Sequence, residues 1–172
     1  SSTGCGQQYT ESVETLLIDF HTHTSASDGE LLPAALMARA INRDVRALAI
    51  TDHDTLEGLK SAASNVPKNL QLVSGVELSC LWGGVNIHIV GLGFAMPAPA
   101  MTALIARQGA ARERRAHKIA QRLEQAGFPG AYDGVVALAS GAELGRPHFA
   151  RWLVKQGFVD SETRAFDRYL GR

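Results

Sequence analysis

The apolar run Leu16-Leu17-Ile18 leads directly into His21-Thr22-His23-Thr24-Ser25-Ala26-Ser27-Asp28-Gly29, and that junction constrains the fold more than any other segment. In an extended chain the side chains at i and i+2 project to the same side, so His21 and His23 share one face. Asp28 follows in a polar turn. Two imidazoles and a carboxylate so placed can close on a metal ion, which residues selected for a core would not do. A fold that supplies further ligands of this kind must bring several strand ends to one place.

The hydrophobic pattern predicts such strands. Residues 15–20 read as a buried strand, and Pro33 opens a helix running to about Asp44. A strand follows over 46–50, then a helix over 55–65 with Thr55 as its N-cap. A third strand begins at Leu70 and continues through Val76 and Leu78; Gly83-Gly84 reverses the chain, and Val85 to Leu92 forms a fourth. Strands alternating with helices argue for parallel pairing with the helices outside. At Met96-Pro97-Ala98-Pro99 the character changes, because two prolines in three residues suit a linker. Beyond it the pattern is helical: one helix over 100–126, or two broken near Gly109, stopped by Gly127. Further helices are predicted from about Pro147 to Gly157 and from about Ser161 to Leu170.

The predicted organisation is a flexible lead (1–14), a barrel-like part (15–96) and a helical subdomain (97–172). The lead is polar and lacks the basic start and apolar centre of a secretory signal. The 172 residues, 45% of them hydrophobic, suffice for one core or for one domain with an inserted subdomain. Lys plus Arg and Asp plus Glu both count 17, which argues against a whole-surface grip on nucleic acid and against a stable DNA complex. Cys5 and Cys80 stand alone, which speaks against a disulfide framework or a thiolate zinc site and for a reducing, cytoplasmic setting. No stretch approaches the roughly 20 apolar residues of a membrane-spanning helix.

The ligand candidates all fall at or near strand ends. His21 and His23 follow the first strand, His53 lies in Thr51-Asp-His-Asp-Thr55 after the second, Glu77 in Gly75-Val-Glu-Leu-Ser79 follows the third, and His88 sits within the fourth. In barrels of parallel strands the strand ends converge on the face that carries the active site. Imidazole and carboxylate donors without soft sulfur suit zinc, manganese or iron. Singly each residue has a bland reading: a turn histidine bonded to an aspartate, a charge at a strand end, a satisfied core histidine. Together, after four successive strands, they point to a metal site. Asp52 and Asp54 flank His53 as partners that orient imidazoles or as turn caps.

His21-x-His23 with Ser27-Asp28-Gly29, Ile50-Thr51-Asp52-His53-Asp54-Thr55, Gly75-Val76-Glu77 and His88-Ile89-Val90-Gly91, in this order, resemble the polymerase-and-histidinol-phosphatase (PHP) superfamily of metal-dependent phosphoesterases. The likeness covers residues 16–172 and is nearest to the branch of 3′,5′-nucleotide bisphosphate phosphatases and 5′-3′ exoribonucleases. It implies an α/β fold, the N-terminal part of a distorted (β/α)7 TIM-like PHP barrel interrupted by a helical subdomain. It implies three divalent ions, manganese first, with zinc or iron as alternatives. His21, His23 and Glu77 would hold one ion, Asp28 and His53 a second, and Glu77 and His88 a third, with Glu77 bridging. His148 would complete the third ion's ligands or touch the substrate phosphate.

Two blocks are candidates for substrate binding. Arg112-Glu113-Arg114-Arg115 lies in the long helix, and the resemblance aligns it with substrate-binding residues of the bisphosphatase branch. Arginine forks match phosphate oxygens in a bidentate way. Arg146-Pro147-His148 opens a later helix, whose N-terminus suits an anion; a surface arginine beside a bonded histidine is the competing reading. His117 has no assigned role.

The implied reaction is hydrolysis of nucleotide phosphate esters, or of short RNA from its 5′ end, by a metal-activated water attacking phosphorus in line. No catalytic protein nucleophile is expected; Ser25, Ser27 and Ser79 show no serine-histidine-acid arrangement. The alternatives are a phosphatase for small molecules such as histidinol phosphate, a non-catalytic PHP-like binding domain, and a metal-dependent amidohydrolase, for which a strand-end lysine is missing. The family also supplies an Asp and a His two residues apart in a later strand, and no such pair follows His148. A complete barrel takes about 250 residues. The sequence therefore reads as a fragment of a longer protein, with an exposed sheet edge after the fourth strand, expected to bind metal weakly and to be poorly active alone.

Overall fold

A computed structural model describes residues 16–171; the polar lead and Cys5 lie outside the described residues. The first half alternates strands and helices in the order β1 (Leu17–Thr22), α1 (Pro33–Ile41), β2 (Val45–Ile50), α2 (Glu57–Ala63), β3 (Gln71–Trp82) and β4 (Val85–Leu92). The sheet order is β1-β2-β3-β4. The first three strands run parallel, as crossovers through α1 and α2 require. The β3–β4 pair is antiparallel, joined by Gly83 and Gly84, both at positive φ, where a side chain would be strained.

β2 carries the core of this half: Leu48, Ala49 and Ile50 are buried, and Leu48 and Ile50 pack with Met37 and Ala40 of α1, Ala62 of α2 and Leu70. The expectation of a buried first strand is corrected. Leu17 and Ile18 are exposed, because β1 pairs with β2 alone among the described strands. β4 is the other edge and is exposed almost throughout, as expected of the fourth strand.

The second half is helical. α3 (Pro99–Gln125) is unbroken through Gly109 and ends before Gly127, which takes the positive φ of a helix stop. α4 (Ala131–Ala139) follows, then α5 (Arg146–Lys155) and α6 (Glu162–Ala165), which continues into a π-helical turn at Phe166–Leu170. The Ser161 side chain caps α6 by accepting from Arg164 N–H at 3.2 Å. Phe149, Ala150, Trp152 and Leu153 form the buried stripe of α5, packed with Leu123 and Val135. Each large apolar side chain so buried contributes roughly 1.5–3 kcal/mol. That stripe leaves Arg146, His148 and Arg151 to project from other faces of α5.

Thr55 acts at the start of α2, two residues early. Its Oγ1 accepts from Glu57 N–H at 3.2 Å, although the residue preceding the helix is Leu56. Among the described residues no helix is long and apolar enough to cross a membrane.

Candidate metal centre

The ligand-bearing residues meet at one end of the sheet. His21 lies in β1 and His23 just after it, and Asp28 sits in the loop before α1. His53 follows β2 and bridges to Glu77 of β3 in a parallel sense. The tie is reciprocal: Asp54 N–H donates to the Glu77 carbonyl and Glu77 N–H to the Asp52 carbonyl. Across the β3–β4 pair, Ser79 of β3 faces His88 of β4 and Glu77 faces Val90, so His88 and Glu77 are diagonal neighbours on one face.

Glu77 is the hub. Its carboxylate is 2.8 Å from His21 Nε2, 3.0 Å from His23 Nε2 and 2.8 Å from His88 Nδ1. Asp28 lies 3.0 Å from His23 Nδ1 and 3.6 Å from His53 Nε2. The imidazoles form a chain, with ring centroids 5.3 Å apart from His21 to His23, 4.6 Å from His23 to His53 and 4.8 Å from His53 to His88. Three overlapping groups result: His21, His23 and Glu77; His23, Asp28 and His53; and His53, Glu77 and His88. In each group the candidate donor atoms lie within 4.8 Å of one another.

These residues fit divalent ions. The Nδ1 atoms of His23 and His53 are buried without a hydrogen bond, although carboxylate oxygens stand 3.0 and 3.9 Å away. Imidazole nitrogens, two of them without a hydrogen bond, gathered beside carboxylate oxygens make the donor set of a cation site. Burial opposes ionisation of Asp28, yet the facing His23, His53 and His148 hold its pKa down at about 2. Glu77 is also lowered, by its hydrogen bonds to His21 and His88 and the nearby imidazoles against the cost of burial. Burial lowers His53 to about 4 and so keeps it neutral, as a ligand must be. His23 is raised: burial works against its charge, but Asp28, Glu77 and Asp52 outweigh it.

The remaining expected site residues divide. A cavity of about 230 Å³ is lined by Asp28, His53 and His88 together with Arg112, Arg115 and Arg146. Arg112 is buried and tied to Asp54, Leu144 and Ser79. Arg115 and Arg146 make no ion pair among the described residues. Burial and the neighbouring Arg112 and Arg146 charges lower the Arg115 pKa, against the opposing pull of Asp54. Glu113 and Arg114 do not reach this cavity. Helical spacing puts Arg112 and Arg115 on one side and turns the two residues between them away. Glu113 instead lines a separate cavity of about 360 Å³ with Tyr132 and Glu143, and Arg114 is exposed.

His148 stands outside all three ligand groups. It is buried in the first turn of α5, where its Nδ1 accepts from Gly145 N–H at 3.1 Å. Burial and Arg151 lower its pKa, against the Asp28 charge and backbone hydrogen bonds to Gly145 and Ser27. The structure thus uses His148 to close a helix start near the cluster. His117 stacks on Tyr132 with centroids 3.9 Å apart and has no place at the centre.

Neither aspartate beside His53 touches an imidazole. Asp52 is buried and accepts from Thr24 N–H (2.6 Å), Thr24 Oγ1 (2.7 Å) and Ser27 Oγ (2.7 Å), pinning the loop between His23 and Asp28. Asp54, at φ 50°, accepts from Ser79 N–H at 2.8 Å and pairs with Arg112. The loop is held from the helical side by Arg151, whose Nη1 and Nη2 both donate to the Asp28 carbonyl, at 3.2 and 3.1 Å. Sequence reasoning missed Arg151, because a side chain that holds a backbone carbonyl 123 positions away leaves no local pattern.

Comparison with known proteins agrees with this geometry. Over 155 residues the chain is 48% identical to a 5′-3′ exoribonuclease of Haemophilus influenzae, covering 90% of this chain and 56% of the relative. It is 39% identical over 155 residues to a 3′,5′-nucleoside bisphosphate phosphatase of Chromobacterium violaceum, covering 89% of this chain and 54% of the relative. An amidohydrolase structure from Chromobacterium violaceum, with bound sulfate and no metal, superposes with a TM-score of 0.79 at 35% identity. That alignment covers 91% of this chain and 55% of the solved one. The chain therefore spans little more than half the length of these relatives. The PHP domain family model matches residues 19–140. With its curled α/β half-barrel and its histidine–carboxylate cluster at one end of the sheet, the chain belongs to the PHP domain family.

Proposed function

We propose that this chain carries the metal centre of a phosphoesterase that hydrolyses nucleotide phosphate esters, 3′,5′-nucleotide bisphosphates and short RNA taken from the 5′ end. One observation carries the reading: a single cavity is lined by the metal-ligand candidates Asp28, His53 and His88 and by Arg115 and Arg146, which form no ion pair among the described residues. Arginines outside any direct ion pair among the described residues, beside a metal cluster, select an anion rich in oxygen, and a phosphoryl group meets both walls. The exoribonuclease and bisphosphatase names of the relatives support a nucleotide as the rest of the substrate.

In this reading His21, His23, Asp28, His53, Glu77 and His88 hold three divalent ions, one for each group of donors, with manganese first and zinc or iron as alternatives. When bound, the ions supply a water of lowered pKa and Lewis-acid polarisation of phosphoryl oxygens. Glu77 sets the spacing of His21, His23 and His88 by touching all three. Arg115 and Arg146 orient the phosphate, and Arg112 forms the wall between them. His148 holds the α5 start on which Arg146 stands. No serine, cysteine or lysine of the chain is assigned as a nucleophile. The protein works in the cytoplasm, where a free thiol such as Cys80 persists.

The test is a panel of a 3′,5′-bisphosphate, histidinol phosphate and 5′-phosphorylated RNA oligomers, assayed for released phosphate and mononucleotide. Activity on the nucleotide substrates is expected to vanish on chelation and return with manganese, and His21→Ala is expected to stay inactive. Hydrolysis that survives exhaustive chelation, or a preference for histidinol phosphate, refutes the reading.

A further inference from the structure

We propose that the helical segment is the positioning frame of the metal centre: Arg151 fixes the loop that carries Asp28, and Arg112 fixes the turn that carries His53. The inference rests on the reading of the cluster as a divalent-metal site. Asp28 and His53 stand on irregular backbone rather than in a regular stretch of strand or helix. Ordering each such residue costs roughly 1–2 kcal/mol, so a preformed site needs ties that have already met that cost.

The ties come from α3, α5 and the loop between α4 and α5. Arg151 sets both terminal nitrogens of its fork on the Asp28 carbonyl. Fixing that peptide fixes the direction in which the Asp28 side chain leaves it. Glu143 N–H donates to the Ala26 carbonyl in the same loop at 3.2 Å. On the other ligand, Arg112 Nε pairs with Asp54 Oδ2 at 2.5 Å, directly after His53. Arg112 Nη2 donates to Ser79 Oγ at 3.0 Å, and Nη1 to the Leu144 carbonyl at 3.2 Å. Gln108 Nε2 adds a 2.6 Å bond to the Ser79 carbonyl. Arg112 thus joins the His53 turn to the strand that presents Glu77, two residues before Ser79. Both charges of the Arg112–Asp54 pair are buried, at 7% and 0% side-chain exposure. A pair so buried has value as a geometric lock, because losing either member strands the other. The first ligand group, His21, His23 and Glu77, contains neither Asp28 nor His53. The Arg151 tie on Asp28 is therefore selective for one of the three groups, His23, Asp28 and His53.

The test is titration of the metal-free full chain with Co(II) against a competing chelator, read by d–d absorption, with the urea midpoint of each metal-free variant measured alongside. Arg151→Ala is expected to weaken the ion that uses Asp28 roughly 10- to 100-fold. The His21–His23–Glu77 ion should keep its affinity, and Arg151→Lys should recover part of the loss. Ser79→Ala, milder than removing buried Arg112, is expected to weaken the ions that use His53. Arg164→Ala, which breaks the exposed pair with Asp160, should leave every ion unchanged. Wild-type metal uptake with unchanged affinities in folded Arg151→Ala and Ser79→Ala overturns this inference alone. So does an equal weakening of all ions in step with the urea midpoint. Absence of uptake by the wild type overturns the functional reading and this inference with it.

Discussion

Replacing Asp52 by alanine should loosen the metal-ligand loop and destabilise the metal-free fold by about 4 kcal/mol, a figure that rests on three hydrogen bonds. Thr24 N–H, Thr24 Oγ1 and Ser27 Oγ all donate to the Asp52 carboxylate at 2.6–2.7 Å, and all three residues are at most 1% exposed. Bonds to a charged acceptor contribute roughly 1.5–3 kcal/mol each, a gross loss of roughly 4–9 kcal/mol. The lower end applies, because hydroxyls can turn to other acceptors and water can enter the vacated space. Asp52→Asn keeps one oxygen for Thr24 N–H and Ser27 Oγ. Its amide meets Thr24 Oγ1, which can reverse its role and accept, so the expected cost falls to about 1–2 kcal/mol. The assay is urea unfolding of chelator-treated protein, with the loss read from the midpoint at constant slope. A loss below about 1 kcal/mol in Asp52→Ala, or asparagine proving as harmful as alanine, refutes the reasoning.

Other perturbations test neighbouring steps. Gly58→Ala should cost roughly 1–3 kcal/mol, since its Cβ would stand 2.0 Å from Asp52 Oδ2 and 2.5 Å from Thr24 Oγ1; an unchanged urea midpoint would contradict this. Arg115→Ala and Arg146→Ala should each raise KM for a bisphosphate roughly tenfold while metal content stays constant, and an unchanged KM in both would remove them from the phosphate site. The metal-free protein should be most stable near neutral pH. Burial lowers His53 from 6.5 to about 4, so its neutral form costs nothing above 6.5 and costs stability progressively as pH falls towards 4; His148, also lowered, acts with the same sign. The Asp28 pKa is depressed from 3.8 to about 2, so its stabilisation, on the order of 2 kcal/mol, is complete above 3.8 and lost as pH falls towards 2. Asp54 is also lowered and acts with the same sign. His23 is raised, so its contribution is present below 6.5 and disappears as pH rises through the folded value. Urea midpoints at pH 2.5, 5 and 8 check both limbs, and a flat profile would contradict the assignment.

What could be read from the sequence follows physical range. The strand β4 (Val85–Leu92) and the long helix α3 (Pro99–Gln125) are legible because their patterns and stops are local. The convergence of His21, His23, Asp28, His53, Glu77 and His88 was expected because each follows or lies within a strand, and one sheet collects strand ends. The exposure of β1 was not legible, since Leu17 and Ile18 look alike in an edge strand and a central one. α4 was missed because its short apolar run, Ala131 to Ala139, lies between glycine-rich turns and has no strong period. The partners of Asp52, Asp54 and Arg151 were out of reach for a different reason. Each grips a residue at least 25 positions away, through contacts that only the assembled fold creates.

The most direct test of the account is diffraction from crystals grown with manganese, recorded at the manganese absorption edge. The account predicts anomalous peaks among His21, His23 and Glu77, among His23, Asp28 and His53, and among His53, Glu77 and His88. Crystals soaked in manganese that show no peak within reach of these side chains would contradict it.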